Sequence, residues 1–275
     1  MHKRIRSPWY SNISGRFWKV WRRDLDVYLK TWTVNLVLPF LEPVLYLVAM
    51  GFGFGNLVPG GVEGVPYILF IAPAVVAIAV MNSAFFETTY GSFVRMTYQK
   101  TFDAITATPL TLEEVITGEM VFAAFKGMVY GTIVLVMVTG LGLLGLVPLF
   151  ASANAVFLLL IIPFSLLFGL LSSALGMCCT AIAPNIDSFN YATFFLITPM
   201  FLFSGTFFPI TILPGALQAL VLTIFPLTHG VIVMRQLMVN MIDLSQMLIS
   251  LAWIGIVTFV LLVLAIIAMN RKLIK

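Results

Sequence analysis

Ionisable side chains inside long apolar stretches are the residues of this sequence that most need a chemical explanation. Glu42 lies about nine residues, or roughly 14 Å of helix, into the apolar stretch 33–55. A carboxylate at that depth in a membrane is costly, so it is expected to face the interior of a helix bundle or a wet cavity. Two interpretations stay open. Glu42 lines a path or fixes a helix interface, or it is protonated or hydrogen-bonded at the helix break before Pro43.

Three more ionisable residues lie in or beside two further apolar stretches. Glu87 follows Tyr67 by about 20 residues, close to the end of its helix, and is expected to be wetter than Glu42. Glu119 and Lys126 are seven residues apart, which puts them on one helix face, two turns apart. That spacing favours a lateral partner on another helix over a direct pair.

Catalytic and metal-binding motifs are missing from the sequence. Its histidines are His2 and His229, and it contains no HExxH, GxSxG or GxxxxGK[ST] motif. Asp187 is the one aspartate near membrane depth, whereas an intramembrane aspartyl enzyme needs two. The adjacent cysteines Cys178 and Cys179 lie in an apolar run and are interpreted as small core residues. The sequence therefore predicts no catalytic residue, no metal site and no cofactor on this chain.

The composition is that of an integral membrane protein. Hydrophobic residues make up 61% of the 275 positions and charged residues 9%, against roughly 25% charged in a soluble domain. One transmembrane domain over residues 1–275 is predicted, with no nucleic-acid partner. The basic N-terminus is followed by no apolar stretch before about residue 33, so no signal peptide is predicted.

Six apolar stretches are long enough to cross a bilayer as helices, which takes about 20 residues each. The second and third exceed that length and are expected to project into the cytoplasm. The fold class predicted is thus an all-α membrane protein with six transmembrane helices. The stretches are 33–55, 66–92, 115–145, 153–181, 188–206 and 245–269.

The distribution of lysine and arginine predicts the orientation. Residues 1–32 carry eight basic side chains, and the C-terminal tail carries Arg271, Lys272 and Lys275. The loops predicted outside, 56–65, 146–152 and 207–244, carry only Arg235. Because basic residues favour the cytoplasmic side, both termini are expected there. An even number of crossings is then required, and six satisfies it.

Residues 207–238 are apolar but interrupted by prolines. Between Pro214 and Pro226 lie 11 residues, and from Leu227 to Met238 there are 12. At about 1.5 Å per residue neither segment crosses the hydrocarbon. We therefore expect a re-entrant helical hairpin in the outer leaflet, sheltered by the bundle, because exposed irregular backbone is not tolerated there. The alternative is an outer loop lying at the interface.

The N-terminal region 1–32 contains a candidate amphipathic helix over Arg16–Trp32. Basic residues fill much of the face opposite an apolar stripe, a pattern typical of helices at the inner membrane interface. Simple anchoring by positive charge is a compatible alternative. The stripe consists of Phe17, Val20, Trp21, Leu25 and Tyr28.

The internal polar loop 93–114 separates the second and third stretches. A short helix is predicted over Thr97–Thr106, before Pro109. Thr111 and Glu114 have the spacing of a capping box that starts the next helix. A short helix held between two long membrane helices is well placed to transmit force from a soluble partner. The other interpretation is a solvated connector.

Four stretches of the sequence resemble the membrane-spanning subunits of type 2 ABC exporters. The likeness is to permeases for rhizobial lipo-chitooligosaccharide (nodulation factor) export and to related drug, lipid and polysaccharide exporters. The last of the four, with its ordered Phe-Phe-Pro, Leu-Pro and Pro-Leu-Thr-His, is the most specific. The stretches are LEPVLYLVAMGFGFG (41–55), FETTYGSFVRMTYQKTFDAITATPL (86–110), GEMVFAAFKG (118–127) and SGTFFPITILPGALQALVLTIFPLTHGVIVMR (204–235).

This resemblance implies a machine of several chains in the bacterial cytoplasmic (inner) membrane. Two permease copies would work with two ATP-binding subunits, which carry the ATP and Mg²⁺. An amphipathic substrate, a lipo-oligosaccharide, glycolipid or drug, would move outward along the permease dimer interface. The N-terminal amphipathic helix would be the connecting helix. The coupling helix that docks on the ATPase would include Tyr98, Gln99, Lys100, Thr101, Phe102, Asp103 and Ala104.

Four outer phenylalanines are candidates for a hydrophobic gate, with simple packing as the alternative: Phe201, Phe203, Phe207 and Phe208. An alternative function is a gradient-driven secondary transporter that uses Glu42 and Glu87 as carriers. Such proteins usually contain two broken helices in an inverted repeat, and only one half of this sequence is broken. An enzyme acting on lipid-linked sugars is a further alternative, but Glu63, Asp243 and His229 form no recognisable cluster.

Overall fold

The structure is a computed structural model that describes residues 14–32, 41, 43–58, 60–149 and 154–273, without the side chains of Phe52 and Asn56. Within these ranges the chain is helical apart from turns and one isolated β-bridge between Val62 and Val65. The helices are α1 (Phe17–Lys30), α2 (Tyr67–Tyr98), α3 (Thr101–Thr106), α4 (Leu112–Leu143), α5 (Ala155–Ile182), α6 (Ile186–Phe203), α7 (Gly215–Ile224), α8 (Pro226–Val239) and α9 (Leu244–Leu273).

Five helices of the described chain, α2, α4, α5, α6 and α9, are long and apolar enough to cross a membrane. They match the second to sixth predicted stretches. The first stretch is described only in part: residues 43–48 are α-helical and are followed by a π-helical segment, Ala49–Phe54. Glu42 lies outside the described residues.

Helix α2 forms the centre of the bundle. It is apolar all round, and its largest side chains, such as Phe70 and Phe85, are fully buried. Helix α5 approaches α2 and α4 closely because glycines of α5 face these two helices. A Cβ on Gly169 would lie 2.8 Å from the carbonyl oxygen of Ala124, and one on Gly176 would lie 2.7 Å from that of Phe85. Such contacts are the usual way that small residues let membrane helices pack.

Helix α1 lies against α4 through the predicted apolar stripe, which is buried or partly buried. The ring of Trp21 packs edge-on against Phe125 with centroids 5.3 Å apart. The two helices are closest at Gly118, where a Cβ would lie 2.6 Å from the Cβ of Val20. Asp24 is also buried in this face, which the apolar pattern did not predict.

The connection between α2 and α4 differs in one respect from the prediction. A helix was expected over Thr97–Thr106, but α3 begins only at Thr101 because Lys100 adopts the left-handed conformation, with φ of 54°. That residue breaks the helical path between α2 and α3. The capping box of Thr111 and Glu114 is confirmed in full.

Helices α7 and α8 form a sharply bent pair, with an angle of 89° between them. Pro226 begins α8, and Phe225 before it is extended, as residues preceding proline usually are. His229 holds the bend. Its Nε2 donates to the carbonyl oxygen of Leu222 at 2.9 Å, and its ring stacks on Trp253 of α9 with centroids 4.3 Å apart.

Candidate functional site

A buried network of charges joins α1, α2 and α4 near the end of α2 that leads to α3. Its centre is Arg95, whose Nη1 donates to Glu87 at 2.8 Å and whose Nε donates to Glu119 at 2.9 Å. Ser92 donates a further hydrogen bond to Glu119 at 2.7 Å. Each oxygen of the fully buried Glu119 therefore has a charged partner, which is the condition for keeping a carboxylate away from water.

The network extends to Lys126, which donates to the second oxygen of Glu87 at 2.7 Å. Lys126 also lies over the rings of Tyr28 and Tyr130, at 5.8 Å and 5.6 Å from their centroids. A Cβ on Gly91 would lie 2.7 Å from Glu87 Oε1. Glycine at that position thus leaves room for the carboxylate.

Helix α1 adds Arg23 and Asp24 to the same network. Arg23 donates to Glu119 at 3.3 Å and forms an ion pair with Asp24. Burial, and then the negative charge of Glu119, raise the pKa of Asp24 from 3.8 to about 7 although both Arg95 and Arg23 lower it. Three acidic and three basic side chains from three helices therefore share one desolvated cluster.

The lateral partners predicted for Glu119 and Lys126 are confirmed as Arg95 and Glu87 of α2. Glu87 was expected to be wet, but its side chain is only 10% exposed. Its two cationic partners make burial tolerable. The sequence did not single out Arg95, because it was assigned to a polar loop. The extension of α2 as far as Tyr98 is what turns it toward Glu87 and Glu119.

A cavity of about 510 Å³ lies beside this network. The first membrane segment, α2, α4 and α6 all contribute to its wall. One end is polar and includes Glu87, Lys126 and Tyr130. The other end is apolar and includes Val75 and Ile78. The complete lining is Pro43, Tyr46, Val75, Ile78, Ala79, Asn82, Ser83, Phe86, Glu87, Tyr90, Gly91, Lys126, Tyr130 and Phe201.

Two polar side chains in the middle of this cavity lack a partner. Asn82 Oδ1 and Ser83 Oγ are buried atoms, and neither makes a hydrogen bond within the described chain. Leaving such atoms unsatisfied costs about 1–3 kcal/mol each.

Two of the four predicted gate residues form an aromatic cluster at the apolar end of the cavity. Phe201 and Phe207 pack edge to face with centroids 5.1 Å apart, and Tyr46 contacts both, at 5.7 Å and 5.6 Å. Phe203 and Phe208 make no ring contact with other aromatic residues of the described chain. The cluster lies where the first segment, α6 and the following loop meet.

The predicted coupling segment divides into an exposed and a buried face. Phe102 is fully buried in an apolar cluster that includes Phe93 and Ile116, and Thr101 is partly buried. Exposed side chains cover the opposite face. They are Tyr98, Gln99, Lys100, Asp103 and Ala104.

Comparison with known proteins identifies the family. A family model described as "ABC-2 type transporter" matches residues 15–239. The chain belongs to the ABC-2 type transporter family. It is 36% identical over 221 residues to "Nodulation protein J" of Rhizobium meliloti (strain 1021), covering 80% of each chain. It is 25% identical over 201 residues to "Inner membrane transport permease YadH" of Escherichia coli (strain K12), covering 73% of this chain and 74% of that one.

As an ABC-2 permease, the chain is a multi-pass membrane transport subunit without a catalytic ATPase domain. Permeases of this family work with ATP-binding subunits. The match begins two residues before α1 and ends at the last residue of α8. It therefore covers the charged network, the cavity and the bent pair.

Proposed function

We propose that this permease exports an amphipathic molecule, a lipo-oligosaccharide, glycolipid or drug, from the cytoplasm or inner leaflet to the outside. The observation that carries the proposal is the amphipathic cavity of about 510 Å³. Its polar end offers charge and hydroxyl groups for a head, and its apolar end accepts a tail. The resemblance to nodulation-factor export permeases favours a substrate of the lipo-oligosaccharide class, and the relatives named "Nodulation protein J" agree with that resemblance.

The polarity of the cavity supports loading from the inner leaflet. With both termini in the cytoplasm, the bacterial inner membrane would place α3 and the charged network on the cytoplasmic side. The polar end of the cavity, near Glu87 and Lys126, then lies toward the inner headgroups. The apolar end, near Val75, lies toward the bilayer centre. A lipid of the inner leaflet has the same order of head and tail.

The exposed face of α3 is proposed to dock on the ATP-binding subunit, which would bind ATP and Mg²⁺. Force applied there would reach Arg95, which lies six residues before the start of α3 and is bonded to α4 through Glu119. The network would move α1, α2 and α4 together. A cavity that shares Glu87 and Lys126 with the network would then change shape.

The bent pair α7–α8 is proposed to be a re-entrant hairpin in the outer leaflet. Its arms contain 10 and 14 residues, so they are about 15 and 21 Å long. Neither arm is long enough to cross about 30 Å of hydrocarbon. The aromatic cluster around Phe201 and Phe207 would close the path below it. A second permease copy would complete the walls of the path.

A substitution that fills the cavity, followed by a transport measurement, tests this function. Ala79 lines the cavity, whereas Ala252 is an exposed alanine of α9. In proteoliposomes with the ATP-binding subunit, Ala79→Leu is expected to lower export of a fluorescent lipo-oligosaccharide at least fivefold, and Ala252→Leu to leave it unchanged. Equal export by both variants and the unmodified protein would remove the cavity from the transport path.

Co-purification tests the docking face. Asp103→Lys reverses a charge on the exposed face of α3, and Asp187→Lys makes the same change at the exposed start of α6. We expect Asp103→Lys alone to lower the yield of ATP-binding subunit recovered with the permease. A thermal unfolding curve like that of the unmodified protein would show that the fold is intact. Full recovery with both variants would contradict docking at α3.

Family membership favours an ATP-driven mechanism over the gradient-driven alternative. Glu87 accepts hydrogen bonds from two cations, Arg95 and Lys126. That pairing stabilises its charged form, whereas a proton carrier must release its proton and take it up again. Glu42, the other carboxylate of that hypothesis, lies outside the described residues.

A further inference from the structure

A second cavity, of about 300 Å³, lies at the other end of the bundle. It adjoins Val65, two residues before α2. The charged network includes Glu87 and Arg95, which follow the first residue of α2 by 20 and 28 positions, or roughly 30–42 Å of helix. Its walls come from the turn before α2, the bent pair and the start of α9. The polar lining residues are Glu63, Thr211, Gln218, Arg235, Gln236, Asp243 and Gln246.

Arg235 supplies the positive charge of this cavity. Its Nη2 donates to the carbonyl oxygens of Gly205 at 2.6 Å and Phe70 at 3.1 Å, and its guanidinium stacks over the Phe70 ring at 3.8 Å. These contacts fix the plane of the group. In the described chain no carboxylate lies within ion-pair distance, and Nη1 makes no hydrogen bond. The cation therefore keeps donor capacity for a ligand.

Two carboxylates supply the negative charge. Asp243 caps the start of α9 with one oxygen, which accepts from the backbone N–H of Ser245 at 3.0 Å and of Gln246 at 3.2 Å. A hydrogen bond from the Ser245 side chain holds the pKa of Asp243 below its ordinary value. Glu63 is exposed and has a φ of 52° in the turn closed by the Val62–Val65 bridge.

The walls between these charges are held in place. Gln236 of α8 donates to Gln246 of α9 at 2.8 Å and accepts from the backbone N–H of Asp243 at 3.2 Å. Gln218 donates to the carbonyl oxygen of Leu213 at 2.7 Å. The charged groups are thus presented by a bonded framework that links the bent pair to α9, and not by a loose loop.

We propose that this cavity binds a headgroup that carries both an anionic phosphodiester and a primary amine, as phosphatidylethanolamine does. An anion alone would meet the guanidinium of Arg235 but also the carboxylates of Glu63 and Asp243. An amine alone would leave the guanidinium of Arg235 without an anionic partner. A headgroup with both charges can place its phosphate on the arginine fork and its ammonium on a carboxylate.

The size and the remaining lining are compatible with this ligand. The volume of about 300 Å³ equals that of roughly ten water molecules, enough for a glycerophosphoethanolamine unit. Apolar side chains, including Leu222, Ile232 and Met241, line the rest and would contact the glycerol end. The inference concerns binding by this chain alone and does not depend on the transported substrate.

Binding of two matched headgroups tests the proposal. Glycerophosphoethanolamine and glycerophosphoglycerol share the phosphodiester, and only the first carries an amine. Calorimetric titration of the purified permease is expected to give at least fivefold tighter binding of the amine compound. Arg235→Gln should weaken both at least tenfold. Glu63→Gln should remove the preference for the amine, and the distant Arg271→Gln should change neither.

Several results would overturn the proposal. They are absence of saturable binding, equal affinity for both compounds, or affinities unchanged in both cavity variants. If Arg235→Gln does not fold, the selectivity of Glu63→Gln decides the question, because Glu63 is an exposed turn residue. Mass spectrometry of co-purified lipids distinguishes a membrane lipid from a soluble molecule as the source of the headgroup. Phosphatidylethanolamine retained by the unmodified protein but not by Glu63→Gln supports a membrane lipid, and headgroup binding without lipid retention supports a soluble ligand.

Discussion

Arg95 is central to the charged network, since it bonds to both Glu87 and Glu119. Arg95→Met would leave Glu119 with Ser92 and a longer contact to Arg23. Loss of one partner of a buried ion pair costs about 3–5 kcal/mol. We therefore expect a clear fall in the thermal unfolding temperature in detergent.

Arg22 of α1 supplies the matched control for that change. It is exposed, and Arg22→Met is expected to shift unfolding little. Adding Glu119→Gln to Arg95→Met should restore part of the lost stability, because it removes the unpaired charge. Equal effects of the Arg22 and Arg95 changes, or purely additive effects in the double variant, would contradict a bonded network.

The raised pKa of Asp24 predicts that the docking of α1 on α4 depends on pH. Asp24 has a pKa of about 7 when docked and an ordinary value of 3.8 when released, so docked α1 holds the proton more tightly. Docking is then strongest below about pH 4 and weakens as the pH rises to about 7. Hydrogen exchange of Phe17–Lys30, corrected for intrinsic rates, should show less protection at pH 8 than at pH 5.5.

Asp24→Asn tests the source of this dependence. Asparagine cannot ionise, so protection of α1 should become nearly equal at the two pH values. The facing charged groups are Arg23 on α1, Arg95 on α2 and Glu119 on α4. Asp26→Asn, an exposed change two residues away, should keep the dependence. If the protection of α1 in Asp24→Asn depends on pH as strongly as in the unmodified protein, another group is responsible for the titration.

At the scale of elements, the contact of α1 with α4 depends on one glycine. A Cβ on Gly118 would collide with Val20 and with the carbonyl oxygen of Phe17, at 2.6 Å and 2.9 Å. Gly140 lies on the same helix with nothing within 4 Å. Gly118→Ala should therefore release α1, whereas Gly140→Ala should stabilise α4 by about 0.5–1 kcal/mol.

Protease protection and the unfolding temperature distinguish the effects of the two glycine substitutions. Gly118→Ala is expected to expose α1 to trypsin, which cleaves after residues such as Arg22 and Lys30, with the rest of the chain still folded. Gly140→Ala should leave α1 protected and raise the unfolding temperature slightly. If both variants protect α1 equally, Gly118 is not the contact that positions it.

The elements could be predicted from the sequence more completely than the site. Hydropathy was enough for α2, α4, α5, α6 and α9, because a span needs only an apolar run. The capping box at Thr111 is a local pattern and was found too. Periodicity gave the face of α1, but it could not show that Asp24 is buried in that face.

The charged network could not be predicted from the sequence, because its partners lie far apart in the chain. Glu87 and Lys126 are 39 residues apart, and Glu119 and Arg95 are 24 apart. Their register depends on how α2 packs on α4. The π-helical segments Glu87–Gly91 and Val94–Tyr98 also rotate the end of α2, and no propensity rule predicts such insertions. The contact of Phe201 with Phe207 likewise depends on a turn at Gly205.

At the scale of the whole molecule, the charged network and the second cavity lie at opposite ends of one bundle. Helix α2 connects them: Phe70 in its first turns contacts Arg235 of the cavity, and its end carries Arg95. Most side chains of α2 between Tyr67 and Phe86 are buried against neighbouring helices. A displacement applied at α3 therefore has a buried helix along which to act, because packed cores transmit strain.

Helix α6 is the surface on which we expect a second copy of the permease. Its side chains Tyr191, Phe194 and Phe195 are 70%, 70% and 79% exposed, and its far end, at Phe201, lines the first cavity. A partner at α6 would complete that cavity. We expect Phe195→Cys, in a chain with Cys178→Ser and Cys179→Ser, to form a disulfide-linked dimer in membranes under mild oxidation.

Phe259 of α9 gives the control for this experiment, since it is also a phenylalanine and is 66% exposed. Phe259→Cys in the same cysteine-free background should remain monomeric on non-reducing gels, because α9 would face lipid. Dilution with excess lipid separates a dimer from random collisions: cross-linking at Phe195→Cys should persist, and collisional cross-linking should fall. Cross-linking at Phe259→Cys alone would place the second copy against α9 and leave the first cavity open to the bilayer.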